Sequence, residues 1–464
     1  MIRLFRVSIP VGVLALLVSE IALTSLCFFF AAYFIIGSVA VNSYFLDEGG
    51  LARAAVVVAS IILGLHFVDL YTHIHVKSRL RLLQDLCQVF GIALLAQGLI
   101  SYAVPQLRLG RGLMLVGTLT SFAVLFGWRI FYAGFILSAA VGERILFLGA
   151  NQVVEELAEH IVAHPELGLF IVGYLSNGVA LGTQFSGGKV LGEINDVRKV
   201  ATEIRPSRIV VGMTEHRDKM PVPDLLELRF AGFAIEEASS TYEAVCGRIS
   251  TRDLSPSQLI FTGELGPRPG SLLIQDLSNF LISLVGAVVT LPLMLLVALA
   301  IRLTSRGPIL YRQTRVGKNG ELFMVYKFRS MRVDAEAETG AVWATKDDPR
   351  ITPIGKFLRR VRLDELPQFF NVLRGDMSLV GPRPERPEFV KTLSEQIPYY
   401  RQRHCVKPGI TGWAQINHKY GDRLEDAVIK LEYDFYYIKN ISLSLDAYII
   451  FHTLKTMVLS RGAQ

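Results

Sequence analysis

Four long apolar stretches open the chain, at about residues 11–41, 51–70, 86–104 and 113–140, with polar or charged segments between them. Each is near or above the roughly 20 residues that a spanning helix needs. Residues 1–142 are therefore expected to form four transmembrane helices. The first stretch is too long for a signal peptide, and three more follow it. Lys and Arg in the short loops set the orientation. Arg3 and Arg6 precede the first stretch, and Lys77, Arg79 and Arg81 separate the second from the third. Asp47, Glu48 and Arg53 give the first loop no positive excess, while Arg108 and Arg111 in the third argue mildly the other way. The majority puts the N-terminus inside, along with whatever follows the fourth helix.

The pattern changes at residue 143. Through residue 262, short apolar runs alternate with segments of helical period, which predicts an open, Rossmann-like α/β domain. Arg144-Ile-Leu-Phe-Leu-Gly149, residues 170–174 and Arg208-Ile-Val-Val-Gly212 read as buried parallel strands, and Gln152–Ala163 as a helix. Gly149 is the only glycine retained from a G-x-G-x-x-G pattern, so the backbone lacks the close approach that a pyrophosphate requires. A structural or regulatory role fits this domain better than a nucleotide site. A turn-rich segment from Ser255 to Gly270 leads to the last domain, expected over 263–464.

A fifth apolar run, 280–301, would export everything after it if it crossed the membrane. Pro292 sits near its middle, where proline removes a hydrogen bond and bends a helix. Arg302, Arg306, Arg312 and Arg315 follow it, marking a cytoplasmic flank. A re-entrant helix over 275–303 that breaks at Pro292 accounts for both features. A kinked spanning helix is the alternative.

Composition agrees with a membrane protein: 51% of the 464 residues are hydrophobic and only 19% charged, with a mean hydropathy of +0.39. That excludes a disordered chain and a small disulfide scaffold. The net charge of +7 is unevenly spread. Residues 302–464 hold 27 Lys+Arg against 18 Asp+Glu, so the basic excess lies wholly in the C-terminal third and points to anionic partners. No zinc-finger spacing, RNA-binding signature or helix-turn-helix accompanies it, which argues against nucleic acid. Cys27, Cys87, Cys246 and Cys405 form no C-x-x-C pair and suit a reducing compartment.

Compact motifs crowd the basic third. Lys327-Phe-Arg-Ser-Met331 comes first, then Leu363-Asp-Glu-Leu-Pro-Gln368, Gly381-Pro-Arg-Pro384 and Lys407-Pro-Gly-Ile-Thr-Gly-Trp413. Asp364 and Glu365 follow Arg359, Arg360 and Arg362 at the expected end of a short helix. This is either a solvated ion-pair cluster or an aspartate kept ionised beside guanidinium groups so that it can attack phosphorus. In the second reading the arginines also neutralise phosphate oxygens, and the carboxylate is a hard ligand for magnesium. Two prolines hold Arg383 in a rigid turn. Trp413 either stacks on a base or lines a core, with the core favoured. His66, His73 and His75 read as interfacial. Tyr433, Tyr436 and Tyr437 read as a membrane-facing or core stripe, with Asp434 a structural hydrogen-bond acceptor among them.

From about residue 274 to the C-terminus, the order and spacing of these blocks resembles the bacterial polyprenyl-phosphate sugar-1-phosphate transferases, the monotopic phosphoglycosyl transferases. The whole architecture is similar to that of their large, exopolysaccharide-initiating members. The resemblance implies a monotopic α/β catalytic domain that takes a UDP-sugar and polyprenyl (undecaprenyl) phosphate as substrates. It implies that Asp364 attacks the β-phosphate, releasing UMP, and that the lipid phosphate then collects the phosphosugar. It further implies Mg2+ at or near Asp364, with Glu365 as base or metal assistant. Arg359 and Arg383 match phosphate-binding positions, and Lys327 and Arg329 are further expected contacts. The family's membrane helix breaks at a proline that commonly follows serine; here Leu291 precedes Pro292, with Thr290 one position earlier. A cytoplasmic sugar nucleotide requires the catalytic domain inside, at the face of a bacterial inner membrane, which favours the re-entrant arrangement. Membrane lipid, a homodimer and downstream glycosyltransferases complete the expected partners. The rival reading is a non-catalytic membrane sensor or regulator that binds a nucleotide near Gly149, independently of residues 359–383.

Overall fold

The structure, a computed structural model, describes residues 2–4, 7–71, 74, 78–136, 142–213, 220–252, 266, 269–333, 335, 348–418 and 423–458. His73, His75, Lys77 and most of the 255–270 segment lie outside the described residues. By contacts the chain forms two compact units. One comprises Met1–Arg3, Ser8–Ala150 and Glu155–Glu236, and the other Leu4–Val7, Asn151–Val154 and Glu237–Gln464.

The first unit holds the helices Val11–Ile36, Gly50–Phe67, Arg79–Ala103 and Arg111–Phe131. The first helix stops before the expected end of its apolar stretch because Gly37 turns the chain at φ +96°. Phe28, Ile61, Leu86, Val89 and Leu125 are buried between the helices, while Phe34, Leu95 and Leu119 face outward. Such an outward apolar surface is costly in water and suited to lipid. The first and last of these helices pack closely because Gly117 leaves room for the Phe28 ring. Within the bundle Glu20 and Arg129 are both buried. Arg129 donates to Glu20 Oε2 at 3.0 Å and to the Leu70 carbonyl at 2.8 Å, and the Tyr71 hydroxyl donates to Glu20 at 2.6 Å. Charges at this depth persist only when paired, and this pairing was not evident from the sequence pattern. With Gly270–Thr304 of the other unit, five helices among the described residues are long and apolar enough to cross a membrane.

The same unit carries a six-stranded sheet, in the spatial order Gln184–Phe185, Gly188–Gly192, Leu169–Leu175, Glu143–Leu148, Arg208–Val211 and Ala234–Glu237. Glu143–Leu148 runs parallel to both neighbours, and an antiparallel edge strand makes the sheet mixed. Gly149, at φ +91°, lies so close to the Gly212 carbonyl that a Cβ would crowd it. Its N–H is already given to the Leu175 carbonyl at 2.8 Å. The Val154 N–H is given to Asn151 Oδ1 at 2.9 Å. This glycine thus serves strand packing.

The second unit begins earlier than the sequence boundary suggested. Helix Ala238–Cys246, expected with the middle domain, packs here: Tyr242 donates to Glu432 at 3.2 Å and Trp413 Nε1 to the Gly247 carbonyl at 2.7 Å. The helix Pro269–Thr304 is helical throughout, Pro292 included, so the break expected at Pro292 does not interrupt it. An antiparallel hairpin, Leu310–Val316 with Leu322–Phe328, follows it. Helices Pro353–Arg360 and Gln368–Arg374 then flank the turn Leu363–Glu365. The strands Ser378–Val380 and Gly409–Thr411 pair in parallel, and helices Leu424–Asn440 and Leu443–Val458 close the unit. Met377, Val380, Trp413, Leu431, Phe435, Tyr436, Tyr437 and Leu445 form its core. Trp413 stacks on Tyr436 at 5.6 Å, so it is a core residue.

Candidate active site

Helix Pro353–Arg360 begins at Thr352, whose side chain caps the Gly355 N–H at 3.1 Å. It ends at Arg360, and Arg362 adopts a left-handed conformation (φ 56°) that redirects the chain into the turn carrying Asp364 and Glu365. The two carboxylates therefore sit on a single turn after the helix, between two helices. Asp364 is buried at 8% exposure.

The cations around this turn gather on Glu365. Lys327 Nζ lies 2.8 Å from Glu365 Oε1, Arg383 Nη2 3.4 Å from the same oxygen, and Arg362 Nη1 3.8 Å from Oε2. Burial alone would raise the Glu365 pKa, but Lys327, Arg383 and Arg362 outweigh it and hold the carboxylate well below its ordinary range. Asp364 behaves oppositely. Burial and then the Glu365 charge raise its pKa, with Lys327 and Arg359 only partly offsetting them. No described cation forms an ion pair with Asp364. The ion-pairing cations thus sit on Glu365, while Arg359 reaches Asp364 through its charge alone.

Distant segments position these cations. Asn371 accepts the Tyr326 N–H at 3.0 Å and donates to the Met324 carbonyl at 2.7 Å, which clamps the strand bearing Lys327. Arg383 lies in the Gly381-Pro-Arg-Pro384 turn. Gly381 N–H donates to the Thr411 carbonyl and Gly409 N–H to the Pro382 carbonyl, both at 2.9 Å. Glycines at 381 and 409 are needed because the two backbones nearly touch. Arg403 supports the turn from below. It donates to the Arg383 carbonyl at 3.1 Å and pairs with buried Asp434 at 2.7 Å. Arg315 donates to the Pro384 carbonyl at 3.0 Å.

Residues 270–460 match the family described as bacterial sugar transferase. The N-acetylgalactosaminephosphotransferase of Aeromonas hydrophila, which acts from UDP-N-acetylgalactosamine to undecaprenyl phosphate, is 46% identical over 222 residues. That match covers 48% of this chain and 52% of that protein, so the chain spans about half the length of this relative. The UDP-glucose:undecaprenyl-phosphate glucose-1-phosphate transferase of Xanthomonas campestris pv. campestris is 32% identical over 66% of this chain and 65% of its own. The like-named enzyme of Klebsiella pneumoniae is 35% identical over 328 residues, 69% of each chain. The chain belongs to the bacterial sugar transferase family.

In this sugar transferase family member, Lys327, Glu365 and Arg383 converge from three separate elements. Arg359 acts on Asp364 through its charge, and its buried Nη1 has no hydrogen-bond partner among the described residues. Arg329 is engaged elsewhere: it donates to the Ser305 carbonyl and hydroxyl at 3.0 and 2.6 Å. Asn371, Arg315 and Arg403 were missed in the sequence. An asparagine inside the apolar run Phe369-Phe-Asn-Val-Leu373 was the one available signal, since a polar side chain on a buried face needs a partner. Asp434 is the acceptor that the aromatic run around it suggested.

Proposed function

We propose that the protein transfers a sugar-1-phosphate from a UDP-sugar to polyprenyl phosphate, initiating an exopolysaccharide repeat unit at the cytoplasmic face of a bacterial inner membrane. The carrying observation is the turn in which a buried Asp364, with no ion pair to a cation among the described residues, adjoins a Glu365 held ionised by Lys327 and Arg383. Asp364 Oδ attacks the β-phosphorus of the sugar nucleotide, and the bond from that phosphorus to the bridging oxygen breaks, with UMP leaving. An oxygen of the lipid phosphate then attacks the same phosphorus, and Asp364 departs as a carboxylate. Lys327, Arg359 and Arg383 neutralise phosphate oxygens, so that an anion can approach an anion.

Mg2+ fits the donor set. It needs hard oxygens and is usually held by one or two carboxylates, with substrate phosphates and water completing the shell. Asp364, which has no ion pair among the described residues, would hold it, with Glu365 beside. A bound divalent charge would favour ionised Asp364 and neutralise phosphate. The relatives' names specify a UDP-sugar and undecaprenyl phosphate, with N-acetylgalactosamine in one and glucose in others. The sugar is accordingly a hexose or an N-acetylated hexosamine.

In this reading the helix 269–304 kinks at Pro292, where proline costs a backbone hydrogen bond, and enters and leaves the membrane on one side. Near its start, Gln275 bonds to Tyr437 and Asp446, and Asn279 to Ser378. Near its end, Ile301 packs in one cluster with Phe328 and Leu358. A straight helix from 275 to 301 would span about 39 Å, more than the roughly 30 Å hydrocarbon core. A crossing helix would put those contacts on opposite faces of the membrane, yet one compact unit makes both.

Asp364→Asn tests the chemistry. UMP release from UDP-sugars should fall at least about a thousand-fold, as for loss of a covalent nucleophile, with membrane insertion intact. Near-normal UMP release in that variant overturns the mechanism.

A further inference from the structure

At the carboxyl end of the membrane helix, a cavity of about 360 Å³ opens beside Ser305 and Thr352. Arg306, Arg329 and Arg332 line it, and no acidic residue among the described ones does. Arg329 is its buried member, only 4% exposed, whereas Arg306 and Arg332 are exposed. Arg329 Nη2 is spent on Ser305, but Nη1 is buried and has no hydrogen-bond partner among the described residues. Gly307, at φ +123°, lies against this guanidinium, and any Cβ there would collide with Nη1. Glycine is thus what allows the arginine to sit at this helix end.

We infer that this cavity is an anion subsite for the phosphate group of a membrane lipid. Three guanidinium groups around one cavity repel one another. A phosphate relieves that repulsion. The helix terminus opposes an anion with roughly half a negative charge, but Arg329 already covers the Ser305 carbonyl. The cluster is distinct from the carboxylate turn, whose cations are Lys327, Arg362 and Arg383. Its position at the end of a 36-residue apolar helix sets it where lipid phosphates lie. Either a phospholipid headgroup or the polyprenyl phosphate acceptor offers this chemistry; only the second source rests on the function proposed above.

Native mass spectrometry of the full chain in a neutral detergent separates the sources. Phosphatidylglycerol, a polyprenyl phosphate and phosphatidylcholine serve as probes. The wild type should retain at least one anionic lipid over phosphatidylcholine. Arg306→Gln with Arg332→Gln should weaken that lipid about 25-fold, from about five-fold for each charge at a membrane surface. Val333→Glu, a rim position lining the cavity, should weaken it as well without removing an arginine. A loss confined to phosphatidylglycerol assigns a headgroup site, and one confined to polyprenyl phosphate an acceptor site. Unchanged retention of both anionic lipids in both variants overturns the subsite and leaves Arg329 as a helix cap. Asp364→Asn keeps the cavity intact, so its lipid retention reports on the subsite even if the proposed chemistry fails.

Discussion

Asp364 and Glu365 are neighbours in sequence whose surroundings drive their acidities apart. Glu365 raises the Asp364 pKa and also occupies Lys327 and Arg383. The reaction needs ionised Asp364, so activity should rise with pH through its elevated pKa. Glu365→Gln removes the repulsion and frees both cations, so the acid limb of residual kcat/KM should move to lower pH; a limb that stays put argues against this coupling. Arg403 and Asp434 make a second residue-scale case. Asp434→Asn leaves a guanidinium buried beneath the Arg383 turn, at a cost of about 3–5 kcal/mol. Thermal unfolding should register that loss, and an apolar replacement of both partners should recover most of it.

At the scale of elements, the membrane helix is tied to the catalytic strands through a four-residue polar network. Tyr437 has one hydroxyl hydrogen, yet its oxygen lies 3.0 Å from the Val380 carbonyl and 2.8 Å from Asp446 Oδ1. Its hydrogen is shared between these two acceptors. Burial pushes the Asp446 pKa up to about 6, against the Gln275 and Tyr437 hydrogen bonds that lower it. The folded protein binds this proton more tightly than the unfolded chain, so its contribution is complete below the ordinary value near 3.8. Stability should therefore decline as pH rises from about 4 through about 6. Asp446→Asn should flatten that part of the melting-temperature profile. The Thr290 hydroxyl donates to the Gly286 carbonyl at 2.7 Å, so threonine engages the helix backbone just before Pro292.

For the molecule as a whole, the decisive question is which side of the bilayer each flank of helix 269–304 occupies. Cysteines introduced at Gly266 and Lys318, both exposed, and added to a chain with its native cysteines replaced, should react with an impermeant maleimide from the same face. Labelling from opposite faces makes the helix a crossing one and overturns the one-sided arrangement. Much of this architecture was legible beforehand. The apolar stretches appear as four helices, and residues 144–149, 170–174 and 208–212 fall on three adjacent parallel strands, because both are written in local hydrophobic period. The motif blocks were equally visible, but not that two of them pair backbone to backbone.

By itself the sequence determined the elements, their order, the basic third and the residue types that meet phosphate, since propensity, periodicity and charge are local properties. Tertiary structure alone decided how those residues are shared. It put Lys327 and Arg383 on Glu365 although 38 and 18 residues separate them along the chain. It sent Arg329 to the end of the membrane helix and gathered the helix Ala238–Cys246 with the catalytic unit. The physical reason is that an ion pair depends on distance and burial in space, and neither is encoded within any short window of the chain.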